Sequence, residues 1–472
     1  MRFGKVTDEI VKELAAIVGA GHVWTTLEKR TACSRDEATA LMKGGIYIPD
    51  VVVAPQNARE VSEILKLANR ELIPVTPRGA GTGLSGGALP MYDGIVITDE
   101  RMNHILEIDT ENLAAVVEPG VITGDINVAA AKYELVYRGY PMSVLQCHIG
   151  GNIAENAGGG AVVKYGATMR HVLGIEVVLP TGEILTLGGK LMKDVSGYNL
   201  KEIFIGSEGT LGFVTKITVR LMPMVKHSEV LFALFPDTER AIRAVPRMMA
   251  HGGIIPSAVE YIDKYCYHKV CDFLNEELPM DGVEAVLLIE VEGSDEESVS
   301  RDVERAGAIL KEEGAFEIYV ADTRTTRERI WAVRQNIDEA LRVTDPIQED
   351  EDISVPISEI PEVSRELDKI EKKYNIRIAN FAHAGDGNLH PTILKPANMS
   401  DDEWERAVEA MEWEIYAVTQ KAGGVISGEH GIGSKRKKYF NKICPPENLA
   451  LMKKIKNMLD PNGIMNPGKI FD

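Results

Sequence analysis

The 472-residue chain is poor in cysteine, with five residues at 33, 147, 266, 271 and 444 and no Cys-x-x-Cys. An odd, scattered set of this kind builds neither a disulfide framework nor an iron–sulfur binding run. No stretch of about 18 consecutive apolar residues occurs, so no membrane span is expected. The start, Met-Arg-Phe-Gly-Lys-Val-Thr-Asp-Glu, carries acids and no apolar segment, unlike a secretory leader. Basic residues are outnumbered: 52 Lys and Arg stand against 71 Asp and Glu, a formal net charge of -19. That field repels nucleic acid and anionic membrane surfaces, while leaving room for a basic pocket around a small anion. There is no Walker Gly-Lys-[Ser/Thr], no Gly-x-Gly-x-x-Gly dinucleotide fingerprint and no haem signature. Together these absences point to a soluble, cytoplasmic protein.

What is present is glycine in clusters. Thr76 to Ala88 holds five glycines, at 79, 81, 83, 86 and 87, with Thr82 and Ser85 among them. A backbone so free of Cβ atoms can turn tightly and point successive N–H groups at one anion, most often a phosphate. A flexible surface loop is the plainer alternative. Length argues for two or three domains, and a hydrophobic content of 44% for real cores.

Along the chain, residues 5–19 have helical apolar spacing. Ile48 to Pro55 reads as a strand, Ala58 to Arg70 as a helix capped by Asn57, and Pro74-Val75-Thr76 as a strand leading into the glycine loop. A second glycine-rich segment spans 150–160, and Pro180-Thr-Gly182 joins a predicted hairpin. The strand Phe213 to Leu221 ends near a boundary at Pro223. Beyond about 225, strands (Glu229–Phe235, Ala285–Val291, Phe316–Ala321) alternate with charged helices (Asp237–His251, Glu296–Glu313), an α+β pattern. Gln348 to Asp352 reads as a solvated acidic loop. Glu362–Tyr374 is a predicted helix and Ile376–Phe381 a buried strand. Another helix, Met399–Ala422, has Ser400 as a plausible cap and Gly423 as its stop.

Two segments can carry chemistry: His383-Ala-Gly-Asp-Gly-Asn-Leu-His390 and Gly424-Val-Ile-Ser-Gly-Glu-His-Gly431. Two imidazoles and a carboxylate suit a divalent metal with an open position, making His383, His390 and Glu429 the candidate ligands. The histidines lie seven residues apart, which on one flat strand sends them to opposite faces. Gly385 and Gly387 permit a bend between them. Two unrelated surface turns remain the alternative. His430, beside Glu429, can serve as a general base or as a structural histidine. Arg334, on a predicted helix, can clamp a carboxylate bidentately or simply be solvated.

From about residue 45 to the end, these motifs in this order resemble the FAD-linked D-2-hydroxyacid dehydrogenases of the vanillyl-alcohol-oxidase-like flavoproteins. The resemblance rests on Pro77–Gly83, Glu118-Pro-Gly120, Gly150–Gly159, Gly206–Gly212, His383–His390, Gly428–Gly431 and Asn466–Phe471. It implies an α+β fold in which residues 1–222 form a two-subdomain FAD-binding domain of vanillyl-alcohol-oxidase (PCMH) type. Residues 223–422 then form a cap or substrate domain, and 423–472 a helical return that completes the site. It implies that Pro77, Arg78, Gly79, Ala80, Gly81, Thr82 and Ser85 hold the FAD pyrophosphate. The rest of the cofactor falls to Glu118, Pro119, Gly120, Gly150, Gly151, Asn152, Ala154, Asn156, Ala157, Glu208, Gly209 and Asn466. The same resemblance makes His383, His390 and Glu429 ligands of zinc, iron or manganese, His430 the base, and Asn388 and Arg334 substrate contacts.

The implied reaction is oxidation of a small D-2-hydroxy acid to the 2-oxo acid, with electrons leaving to a partner redox protein. Partners in the resembling family are an electron-transferring flavoprotein, which fits better here, or an iron–sulfur subunit. Two departures matter. The acidic stretch Asp350–Asp352 stands where the hydroxyglutarate branch carries a lysine, which favours D-lactate or glycolate over D-2-hydroxyglutarate. The 77–83 loop has no His or Cys to tether the flavin, so the FAD is expected to be non-covalent. A sugar or aldonolactone oxidase of the same superfamily is a further alternative, though it would not need the His383/His390/Glu429 set.

Overall fold

Asn57 sits in extended backbone and its side chain accepts the Glu60 N–H at 3.0 Å, so the chain turns helical at Ala58. Such a cap contributes about 1 kcal/mol. The helix Ala58–Glu71 buries Val61, Ile64, Leu65 and Ala68 on one face. It connects the strands Val51–Val53 and Val75–Arg78, which flank Ile95–Thr98 in parallel register. A computed structural model describes residues 3–40 and 46–471; Met1 and Arg2 of the start read above lie outside them.

The described residues fall into two units. The first comprises 1–158, 167–224 and 430–472, and the second 159–166 and 225–429. The first unit contains the four-stranded sheet just begun, with Val23–Trp24 at its edge, and a five-stranded antiparallel sheet. In order, the latter is Ile105–Asp109, Ala114–Val117, Phe213–Arg220, Val172–Val178 and Ile184–Gly188. The glycine-rich segment at 150 is a helix, Ile149–Glu155, which ends on Asn156 in the left-handed conformation.

The second unit is built on an eight-stranded sheet. Its main path runs Glu317–Ala321, His227–Phe235, Ala285–Gly293, Ala258–Asp263, Ile378–His383, Asn388–Leu394 and Gln348–Asp350, and all pairings are antiparallel. Helices Thr238–Ala250, Glu296–Glu312 and Ile360–Tyr374 and the capping-box helix Asp401–Lys421 complete its main elements. One sequence expectation fails here, and one strand went unforeseen. Gln348–Asp352 is not a solvated loop: Gln348–Asp350 is a strand, and Glu351 and Asp352 have no exposed surface. Local charge suggested solvent, but hydrogen bonds from elsewhere in the unit make burial possible. The strand Ala258–Asp263 was not foreseen, because Glu260 interrupts its apolar run. Among the described residues no helix is long and apolar enough to cross a membrane.

Candidate functional site

In the first unit the strand Val75–Arg78 delivers the chain into the glycine loop. Gly81 has φ +79°, and a Cβ there would run into the Arg78 guanidinium, so no other residue fits without strain. The C-terminal stretch closes over the loop. Ser434 and Lys435 donate their N–H groups to the Ser85 carbonyl, both at 3.1 Å. Asn466 donates its amide to the carbonyls of Gly87 (3.0 Å) and Glu208 (2.8 Å). The Glu208 carboxylate accepts the N–H groups of Ile432 (2.8 Å) and Gly433 (2.6 Å). Burial raises the pKa of Glu208 despite those two donors.

Several side chains expected at the cofactor are committed to protein partners. Arg78 donates to the Arg35 carbonyl at 2.8 Å. Glu118 accepts from the backbone of His104 and contacts its ring nitrogen. Asn152 donates to Thr123, and Asn156 spans to Met169. Pro119 backs Gly150, whose N–H donates to its carbonyl, and Pro77 lies where a Cβ on Gly209 would be. Gly120 is locked by a 2.7 Å bond to the Met102 carbonyl. Ala154 accepts the Glu208 N–H, and Ala157 donates back to Asn152. Around Gly83 and Gly151, by contrast, a Cβ would meet open space.

In the second unit the site is a sheet face. The hairpin Ile378–His383/Asn388–Leu394 turns through 384–387, where Gly387 has φ +89° and no room for a Cβ against the Val355 carbonyl. Its register sets His383 opposite Asn388 and Phe381 opposite His390. Side chains two apart on a strand share a face. Both histidines therefore lie on one face, with ring centroids 5.3 Å apart. The neighbouring strand sets Glu260 opposite His383 on that face.

Glu260 is fully buried, and each of its oxygens has a partner. Oε1 meets His383 Nδ1 at 2.8 Å, and Oε2 accepts from Arg334 Nε at 2.7 Å. Arg334, at the end of the helix Arg324–Gln335, is 5% exposed and lies 4.9 Å from the Phe381 ring centroid. It is thus not a solvated arginine. Its terminal nitrogens are left unspent by the bond to Glu260.

Glu429 reaches the histidines from the loop after the helix Asp401–Lys421. Asp352 holds that loop: its carboxylate accepts Ser427 Oγ (2.6 Å), Gly428 N (3.0 Å) and Glu429 N (3.1 Å), and also Asn388 Nδ2 (2.8 Å). Glu429 Oε1 lies 3.4 Å from His390 Nε2 and 3.6 Å from His383 Nε2. Burial alone would lower the His383 pKa, but Glu260 and Glu429 outweigh it and the pKa rises to about 10. The spot therefore attracts positive charge. His430 is the first residue of the other unit's C-terminal stretch.

Residues 224–470, more than half of the chain, match the family model described as FAD linked oxidases, C-terminal domain. The chain belongs to the FAD-linked oxidases. Residues 49–188 of this oxidase match a second model, FAD binding domain. It is 42% identical over 424 residues to the glycolate oxidase subunit GlcD of Bacillus subtilis (strain 168), covering 90% of this chain and 89% of that one. It is 36% identical over 475 residues to the D-lactate dehydrogenase of Anaerostipes hadrus, covering 99% and 98%. Its fold is that of p-cresol methylhydroxylase, with a TM-score of 0.78 at 18% identity over 99% of this chain and 98% of that one.

Both groups implied for this oxidase suit the residues present. For FAD, the N–H groups of Ala80 to Ser85 donate to no protein acceptor among the described residues, and Asn466 Oδ1 is buried without a partner. A row of free donors in a glycine loop suits a pyrophosphate. For a metal, bonds of about 2.1 Å in a tetrahedron put ligand atoms about 3.4 Å apart. The observed 3.4 and 3.6 Å separations fit that spacing and are too long for strong hydrogen bonds. Sequence reasoning missed Glu260, which holds His383 and Arg334, and the buried contacts by which Asp352 holds the Glu429 loop. The available signal for Glu260 was a lone acid inside an apolar run.

Proposed function

We propose that this FAD-linked oxidase converts a small D-2-hydroxy acid, D-lactate foremost and glycolate second, to the 2-oxo acid, and passes the electrons to a partner redox protein. The observation that carries the reading is the single sheet face holding His383, His390, Asn388 and the Glu260-bound Arg334, with Glu429 beside it. When bound, FAD supplies the two-electron acceptor, and a divalent ion ligated by His383, His390 and Glu429 a Lewis acid for the substrate hydroxyl. The terminal nitrogens of Arg334 bind the substrate carboxylate, oriented by the pair with Glu260. Asn388, its amide fixed on Asp352, bounds the substrate on the same face. His430 takes the hydroxyl proton at its ring, from a backbone position next to Glu429. The FAD is held by residues 77–85, 118–120, 150–157, 208–209 and Asn466, largely through backbone groups. Domain limits of 1–222, 223–422 and 423–472 belong to the same reading.

The monocarboxylate preference rests on the acidic stretch Asp350–Asp352, whose charge would oppose a second substrate carboxylate. An electron-transferring flavoprotein is the favoured acceptor, and an iron–sulfur subunit the other. The test is anaerobic flavin bleaching with D- and L-lactate, glycolate and D-2-hydroxyglutarate, with and without chelator. Fast bleaching by D-lactate that chelator abolishes is expected. Faster bleaching by D-2-hydroxyglutarate would move the substrate assignment, and no bleaching by any hydroxy acid would end the reading.

A further inference from the structure

Resting on the metal and clamp roles proposed above, the geometry points to Glu260 as the positioning residue that sets both. We propose that this one carboxylate fixes the His383 tautomer for metal ligation and, with its other oxygen, aims Arg334 at the substrate carboxylate.

Glu260 has no exposed surface, and its strand pairs directly with the His383 strand. Oε1 takes His383 Nδ1 at 2.8 Å, and Oε2 takes Arg334 Nε at 2.7 Å. A carboxylate is an acceptor only, so both partners must be donors. His383 then keeps a proton on Nδ1, so that of its two nitrogens Nε2, 3.6 Å from Glu429, is the one available to ligate the ion. Arg334 is bound through Nε, which leaves its terminal nitrogens for a ligand. A carboxylate also balances the buried guanidinium, whose uncompensated burial would be costly.

Glutamine at this position keeps the volume but has one acceptor and one donor. If its oxygen serves Arg334, its amide N–H faces His383 Nδ1 and drives the proton to Nε2, where it blocks the ion. If the oxygen serves His383, the amide faces the Arg334 donor. The E260Q substitution therefore weakens one function or both, whereas E260D keeps two acceptors.

The experiment measures Zn2+ affinity of the metal-free, FAD-loaded protein by competition with a chromophoric chelator, and pyruvate affinity of the Zn2+-loaded protein by calorimetry. Second ligands to a bound imidazole are worth about 10- to 100-fold in metal affinity. E260Q is expected to lose that much Zn2+ affinity, or about 10-fold or more of pyruvate affinity, with FAD content unchanged. E260D is expected to recover part of the loss. Both affinities within about two-fold of wild type in E260Q would overturn the inference. The H390A variant separates the two layers. If H390A keeps its Zn2+ affinity, the metal reading itself fails; if H390A loses it and E260Q does not, only the role of Glu260 fails. Should the variants not fold, histidine-selective 15N NMR of the wild-type Zn2+-loaded protein decides: a proton on Nδ1 of His383 supports the inference and a proton on Nε2 overturns it.

Discussion

The glycine loop of the first unit and the sheet face of the second present their polar groups by opposite means. The loop offers backbone: unspent N–H groups from Ala80 to Ser85, while Arg78, Asn152 and Asn156 spend their side chains on protein partners. The sheet face offers side chains, each aimed by another buried side chain. A backbone site is encoded locally, by the absence of Cβ atoms over a dozen residues. A side-chain site exists only once strands far apart in sequence settle into register. Damage to the loop should therefore act through close contacts and strain, and damage to the face through lost charge and lost aim.

The sharpest way to break this contrast is His390→Ala. Removing a ligand is expected to cost more than about 100-fold in Zn2+ affinity, read by chelator competition, while the FAD-to-protein ratio stays at the wild-type value. A parallel loss of FAD would show that the two sites are not built independently. Next comes Gly433→Ala, where φ is +54° and a Cβ would strike the Ser85 carbonyl. A cost on the order of 3 kcal/mol is expected, seen as a lower Tm and a lower FAD content with Zn2+ affinity retained. Asp352→Asn removes a fully buried carboxylate that serves four donors. It should cost about 2–3 kcal/mol in stability and weaken Zn2+ binding through the loosened Glu429, leaving FAD content unchanged.

The smallest expected effect sharpens the role of burial on the other face of the same sheet. Burial pushes the Asp263 carboxyl from 3.8 to about 6, against the two backbone N–H groups that cap it. Because the folded state holds this proton more tightly than the unfolded chain, stability falls as pH rises from about 4 to 6. The loss at this residue is about 2–3 kcal/mol across that window. Denaturant titrations of wild type and Asp263→Asn should show a difference that changes by that amount between pH 4 and 7; parallel profiles would refute it.

Much of the local structure was legible in residue order. Asn57 and Ser400 mark helix starts, and both accept the expected backbone N–H. His383, Gly385, Gly387 and His390 announce a turn with two imidazoles. The acidic run at 348–352 misled, because charge reports solvation only when no buried donors await it, and Asp352 has four. Glu260 was silent for the same reason: its partners lie 74 and 123 residues away.

By itself, the amino-acid sequence determined the glycine-rich cradle, the periodic helices and the identities of the imidazole and carboxylate groups, because each depends on neighbours a few residues off. Only the tertiary structure decided which acids are buried, which His383 nitrogen meets Glu260 and which faces Glu429, and what holds Arg334 in place. Those outcomes depend on strand register and on hydrogen-bond partners brought together from distant parts of the chain, and no local pattern fixes either.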